Sequence, residues 1–133
     1  MADKVHFEIV TPSKLLTAEE ADMVVVPGDD GDFGVLPGHA PVISTVRPGV
    51  LEIHDGNAEA DQIFIAGGIC EVSADRCTIL ADEAVPVVDM DRAGLEQRLK
   101  NAEEDLADAK NDEAAHKASI AAALLTDMLK VAR

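Results

Sequence analysis

The chain has 133 residues, enough for one domain with an appendage, and its 47% apolar content supports a core and argues against wholesale disorder. A formal charge of −15 speaks against nucleic-acid backbones and bare anionic lipid as partners, since both attract clustered Lys and Arg. Trp and Tyr are absent and Phe occurs three times, so core volume must come from Val, Ile, Leu and Ala.

The opening "MADKVHFEIV" has neither the apolar core of a signal peptide nor an Arg-rich transit pattern, so the product is expected to stay in the compartment where it is made. No apolar run approaches the eighteen residues needed to cross a bilayer as a helix. "HFEIV" (6–10) and "ADMVVV" (21–26) read as strands, short and rich in β-branched residues.

The stretch "PGDDGDFGVLPGHAPV" (27–42) follows, dense in Asp, Gly and Pro. Asp29, Asp30 and Asp32 suggest a calcium-binding β module, but they lack the spaced positions and closing Glu of an EF-hand loop. Gly28, Gly31 and Gly34 lack the Lys and Ser/Thr of a phosphate loop, and three carboxylates would repel the ligand. A structural turn and a loop that presents Phe33, Leu36 and His39 to a partner both remain open. His39 has no nucleophile or orienting acid nearby in sequence, and His6, His54 and His116 show no metal-ligand spacing.

"PVISTV" (41–46) and "GVLEIH" (49–54) are the next strands, divided by Arg47-Pro48-Gly49. Asp55-Gly56 signals a hairpin into "NAEADQIFIA". "AGG" (66–68) permits a tight crossing or bulge. A further hairpin is expected around Ala74-Asp75, between "GGICEVS" and "RCTILADEAV". It places Cys70 and Cys77 diagonally on one face, two small buried thiols with no metal partners. Asp82 and Glu83 are adjacent and so point to opposite faces of a strand, which does not serve acid–base chemistry. No catalytic constellation and no metal site emerge.

After Val88 the period changes. Leu95, Leu99, Ala102 and Leu106 form one helical stripe, and Asp89 or Asp91 can cap its start. "KNDEAA" interrupts the pattern, and Ala114, Ala118, Ala121, Leu125 and Met128 line a second helix. Two helices with a short connection imply an antiparallel hairpin. Its alanine-rich seam buries little area, so it should depend on docking and could take more than one position. Arg92 in the first turn opposes the helix dipole; it either pairs with Asp89 and Glu96 or waits for an anion. The fold class is therefore β followed by α, with a β domain over 1–88 and a two-helix hairpin over 89–133. The first carries sixteen acidic and four basic residues, net −12, and the second ten and seven, net −3.

"GDFGVLPGHAPV" resembles the Gly-x-x-Gly-x-Leu-Pro-Gly-His-x-Pro signature of the epsilon subunit of bacterial F-type ATP synthase. The order of "FEIVTPSKLL", "GVLEI", "IAGGICEVS" and "TILADEAV" is similar too, so the resemblance spans nearly the whole chain. It implies a sandwich of two five-stranded sheets, ten strands in all, followed by the helical hairpin. It further implies a non-catalytic rotor subunit of the central stalk, bound to gamma and the c ring of a proton-translocating synthase. Such a subunit is peripheral to the cytoplasmic side of the bacterial inner membrane and requires no cofactor. The c-ring contact would fall on this loop, with Asp32 where the family commonly has Glu, and with Phe33, Leu36 and His39 beside it. Some members bind ATP where the hairpin begins. "VDMDRA" supplies Asp89, Arg92 and Ala93 for such a regulatory ligand, with Glu83 upstream, but the second helix adds only Lys117, Lys130 and Arg133. In many members the hairpin extends and inhibits ATP hydrolysis at the alpha and beta subunits. A chiefly nucleotide-sensing inhibitor is thus the alternative role.

Overall fold

The structure, a computed structural model, describes residues 4–56 and 60–132, and only the backbone of Lys14 and Leu16. The chain divides into two compact units, Met1–Pro86 and Val87–Arg133.

Ten strands make up the first unit among the described residues: β1 (Val5–Thr11), β2 (Lys14–Ala21), β3 (Met23–Gly28), β4 (Gly31–Val35), β5 (Val42–Val46), β6 (Gly49–His54), β7 (Asp61–Ile65), β8 (Gly68–Val72), β9 (Arg76–Ala81) and β10 (Ala84–Pro86). They hydrogen-bond as one curled mixed sheet in the order β10-β7-β6-β3-β5-β8-β9-β1-β2, with β4 on β3. All pairings are antiparallel except β1 with β9. The sheet is two groups of five, β10-β7-β6-β3-β4 and β5-β8-β9-β1-β2, joined among the described residues by the single ladder pair of Gly28 with Val46. Two more backbone bonds reinforce that junction: the Asp29 N–H to the Thr45 carbonyl at 3.2 Å, and the Arg47 N–H to the Pro27 carbonyl at 2.9 Å.

Period-two alternation sends Val5, Phe7 and Ile9 of β1, Val24 and Val26 of β3, Leu51 and Ile53 of β6, and Cys77 and Ile79 of β9 into one core. Cys70 on β8 joins them, diagonal to Cys77, with Sγ atoms 3.8 Å apart and both thiols free. The turn between β8 and β9 closes through the Ser73 N–H on the Arg76 carbonyl at 2.8 Å. At the β6–β7 hairpin Gly56 takes a φ of +67°, which glycine adopts without a Cβ clash. Residues 57–59 of that connection lie outside the described residues.

In the second unit a single 3-10 turn (Val87–Asp89) precedes α1 (Arg92–Ala107) and α2 (Asp112–Val131). Asn111 caps α2 by accepting the Ala114 N–H on Oδ1 at 2.8 Å. Asp91 occupies the corresponding position before α1, but its side chain makes no capping bond. The helices pair as an antiparallel hairpin: Arg92 at the start of α1 donates from Nη1 to the carbonyl oxygens of Leu129 and Ala132 at the end of α2, each at 3.0 Å.

Candidate protein-docking site

The aspartate-rich stretch is a β-hairpin with a presented edge. Gly28 and Gly31 pair across a two-residue turn of Asp29 and Asp30. Gly31 carries a φ of +128° that other residues avoid, so the turn depends on glycine at that position. The Phe33 ring packs on Gly28, where an added Cβ would lie 2.9 Å from the ring. After β4 the chain turns again at Leu36–His39, with the His39 N–H on the Leu36 carbonyl at 3.1 Å. The Gly38 N–H reaches the Ala74 carbonyl at 2.7 Å and ties this turn to the β8–β9 hairpin.

Asp32, Phe33 and His39 converge on one pocket of about 350 Å³, which Gly28, Asp30, Gly31, Val42 and Ser44 complete. His39 Nδ1 lies 2.7 Å from the Ala40 carbonyl, so that nitrogen carries the proton and the imidazole is oriented by its own backbone. Leu36 lies beside the pocket, exposed and outside its lining. The Asp32 carboxylate does not stand alone, because Arg47 Nη2 donates to its Oδ1 at 2.5 Å. The described residues contain no cluster of three or more His, Cys, Asp or Glu side chains arranged to hold a metal ion.

A second surface escapes a reading by sequence alone. On the β5-β8-β9-β1-β2 half, ladder register puts Thr45, Ile69, Leu80, Val10 and Leu15 in one row across five strands. Residues in one row share a face, and this row points away from the core. Ile69, Leu80 and Leu15 are about half exposed, and Ile43 in the next row is 74% exposed. That next row runs Ile43, Glu71, Thr78, Glu8 and Ala18, and beyond it lie Arg76, His6 and Glu20. The face therefore grades from an apolar stripe to a charged border. Strand alternation in "GICEV" and "RCTILA" was the available signal, since Ile69 and Leu80 fall opposite the buried Cys70 and Ile79.

At the charged border His6 Nε2 lies 2.7 Å from Glu8 Oε1, and Nδ1 lies 3.4 Å from Glu20 Oε1. The Glu8 bond, helped by Glu20, raises the imidazole's pKa above its ordinary value, while Arg76 opposes the shift. Across the unit, Lys4 binds Asp22 and Asp55, Arg47 binds Asp32 and Arg76 binds Glu8. The basic side chains described here are thus already neutralised by acids, and the remaining carboxylates dominate the surface.

The residues expected to hold a nucleotide divide between the units. Glu83 belongs to the first, where its carbonyl accepts the Ala66 N–H at 2.8 Å. Asp89, Arg92 and Ala93 belong to the second, at the end of the 3-10 turn and the start of α1. Arg92 Nε lies 3.4 Å from Glu96 Oε1, so the guanidinium serves one carboxylate and two carbonyls; it forms no ion pair with Asp89. Lys117 and Lys130 lie on α2, and Arg133 lies outside the described residues.

Comparison with known proteins shows the family and the fold. Residues 4–87 match the family model of the ATP synthase delta/epsilon chain β-sandwich domain. The chain is 54% identical over 112 residues to the ATP synthase epsilon chain of Paramagnetospirillum magneticum, covering 84% of each. It is 47% identical over 129 residues to that of Rhodospirillum rubrum, covering 94% of this chain and 96% of the relative. Its fold is similar to a chain in the cryo-EM structure of the Euglena gracilis mitochondrial ATP synthase, with TM-score 0.77, 22% identity, and 94% of this chain and 79% of that one covered.

Proposed function

From the premise that this chain belongs to the ATP synthase epsilon-chain family, we propose that it is a non-catalytic central-stalk subunit whose first unit links gamma to the c ring. The observation that carries this reading is that one β unit presents both a loop pocket and, apart from it, a row of exposed apolar side chains. The apolar row Ile69, Leu80, Val10 and Leu15 suits a permanent partner, because burying it would remove several large side chains from water. We assign that face to gamma. The loop pocket of Asp32, Phe33 and His39, with Leu36 beside it, suits the polar, Arg-containing loops of c subunits. There opposed charge guides the encounter and orientation, while the Phe33 and Leu36 side chains supply apolar contact.

The subunit acts by holding two neighbours in register, and no substrate is transformed on it. No described helix is long and apolar enough to cross a membrane. In this reading the protein reaches the cytoplasmic face of the bacterial inner membrane through its partners, as a peripheral component. The second unit takes a regulatory role, reaching alpha or beta subunits when its helices leave the hairpin. ATP is at most a weak ligand there, since any phosphate must compete for Arg92 with Glu96 and two carbonyl oxygens.

Reconstitution tests the assignment. Full-length protein carrying Asp32→Asn with His39→Ala should still co-purify with gamma but release the c ring. Retention of the c ring by that variant, together with Leu36→Ser, would remove the loop from the interface. ATP titration of the intact subunit, repeated with Arg92→Ala, tests the nucleotide contact.

A further inference from the structure

Arg47 stands between β5 and β6, fifteen residues from Asp32 in sequence, yet it touches the presented hairpin at three points. Its backbone N–H bonds the Pro27 carbonyl at 2.9 Å, Nη1 donates to the Gly28 carbonyl at 2.5 Å, and Nη2 donates to Asp32 Oδ1 at 2.5 Å. Gly28 is also the residue whose pairing with Val46 joins the two halves of the sheet. Pro48 follows directly and restricts Arg47 to extended backbone, which fixes where the side chain starts.

The Arg47 and Asp32 side chains are 41% and 58% exposed. Exposed ion pairs of this kind contribute little to folding, so stability gives little reason for the arrangement. Orientation gives a better one. Asp29, Asp30 and Asp32 lie within four residues and repel one another, and among the described residues Arg47 is the cation that bonds this turn. The planar guanidinium reaches a carbonyl and a carboxylate at once, which a lysine's single ammonium cannot reproduce with the same geometry. Among the described residues the Arg47 bond falls on Asp32 Oδ1, and Oδ2 accepts none, so that oxygen faces a donor from outside.

We infer that Arg47 is a positioning residue, holding the Asp32 carboxylate at the pocket rim so that it can accept a second cationic side chain from the c ring. This rests on the c-ring reading above. The occupant it selects is a guanidinium or ammonium group on a partner loop, received by a carboxylate already anchored on its other oxygen.

The test titrates the gamma complex of the full-length protein onto purified c rings. Arg47→Met is expected to weaken c-ring binding about tenfold while leaving gamma affinity within about twofold, and Arg47→Lys should recover part of the loss. Arg47→Gln keeps a donor for the Gly28 carbonyl but drops the charge, so it tests the same point if the Met variant fails to fold. In an Asp32→Asn background, Arg47→Met should add less than about twofold. Equal loss of gamma and c-ring binding would make Arg47 merely structural and overturn the inference, as would unchanged or tighter c-ring binding. Should Arg47→Met have no effect while His39→Ala or Leu36→Ser weakens c-ring binding, the inference alone fails. If none of these variants matters, the loop reading fails and the inference with it.

Discussion

Arg92 Nη1 lies 3.0 Å from the carbonyl oxygen of Leu129, so the first turn of one helix closes the last turn of the other. Helix C-termini leave carbonyls unpaired and carry partial negative charge, and a cation there satisfies both. The guanidinium is out of place for its own helix and in place for its neighbour. Arg92→Ala is expected to destabilise the hairpin by about 1 kcal/mol, with part of that restored by Arg92→Lys. Hydrogen exchange at the amides of the last turn of α2 should accelerate in the Ala variant. Unchanged protection would show that Arg92 does not close the hairpin.

His6 gives the first unit a pH-dependent component of stability. Its folded pKa is raised, chiefly by Glu8 and then by Glu20, so the charged form is favoured on folding. The contribution is complete below the unfolded value, about 6.5, and is lost as pH rises through the higher folded value. Melting temperatures measured between about pH 5.5 and 8 should show this loss in the wild type. His6→Gln should lack that component of the slope, whereas His39→Gln should retain it. Identical slopes for the wild type and His6→Gln would reject the assignment.

Much of this architecture was legible because two periods dominate the sequence. The β3, β6 and β9 segments alternate, and the Leu95–Ala102 and Ala118–Leu125 spacings are helical. β2 and β4 were not read. "KLLTAEEA" is an edge strand held by β1 alone, and its charged end carries no alternation. "GDFGV" has two glycines and becomes a strand only by pairing with β3. The same division runs through the side chains. Arg92 with Glu96 follows from helical spacing, but its bonds to Leu129 and Ala132 exist only once the hairpin closes. Arg47 reads as turn punctuation before Pro48, and nothing local announces a partner fifteen residues upstream. Diagonal placement of Cys70 and Cys77 was foreseeable from the hairpin, whereas the contact with Cys70 and burial that push the Cys77 thiol up appear only in the folded core.

Two glycine substitutions separate steric demand from backbone preference. Gly68 takes a φ of +145°, and a Cβ there would lie 2.1 Å from the Leu80 carbonyl oxygen. Backbone of the paired strand cannot yield without breaking the β8–β9 ladder, so Gly68→Ala should cost on the order of 3 kcal/mol or more. Gly56 has a φ of +67° and open space around it, so Gly56→Ala should cost only about 1 kcal/mol. Urea unfolding of both variants checks the contrast. Comparable losses would mean that the close β8–β9 approach is not what fixes Gly68.

Leu80 offers the sharpest test of the apolar face. It sits mid-row between Ile69 and Val10, half exposed, so its removal scarcely touches the core. If gamma covers this row, Leu80→Ser removes an apolar contact from the centre of an interface, where truncations concentrate their cost. Gamma binding should weaken about tenfold, equivalent to about 1.4 kcal/mol, with the melting temperature of the free subunit nearly unchanged. Thr78→Ser, one row toward the charged border, should weaken gamma affinity by no more than about fourfold, because it removes a single methyl group worth at most about 0.8 kcal/mol. The c-ring affinity of a preformed gamma complex should be unaffected by either change, since β9 contributes no residue to the loop pocket, which is built from β3, β4, β5 and the turns between them. Loss of c-ring binding with gamma binding intact would exchange the two assignments, placing the c ring on the stripe and gamma on the pocket.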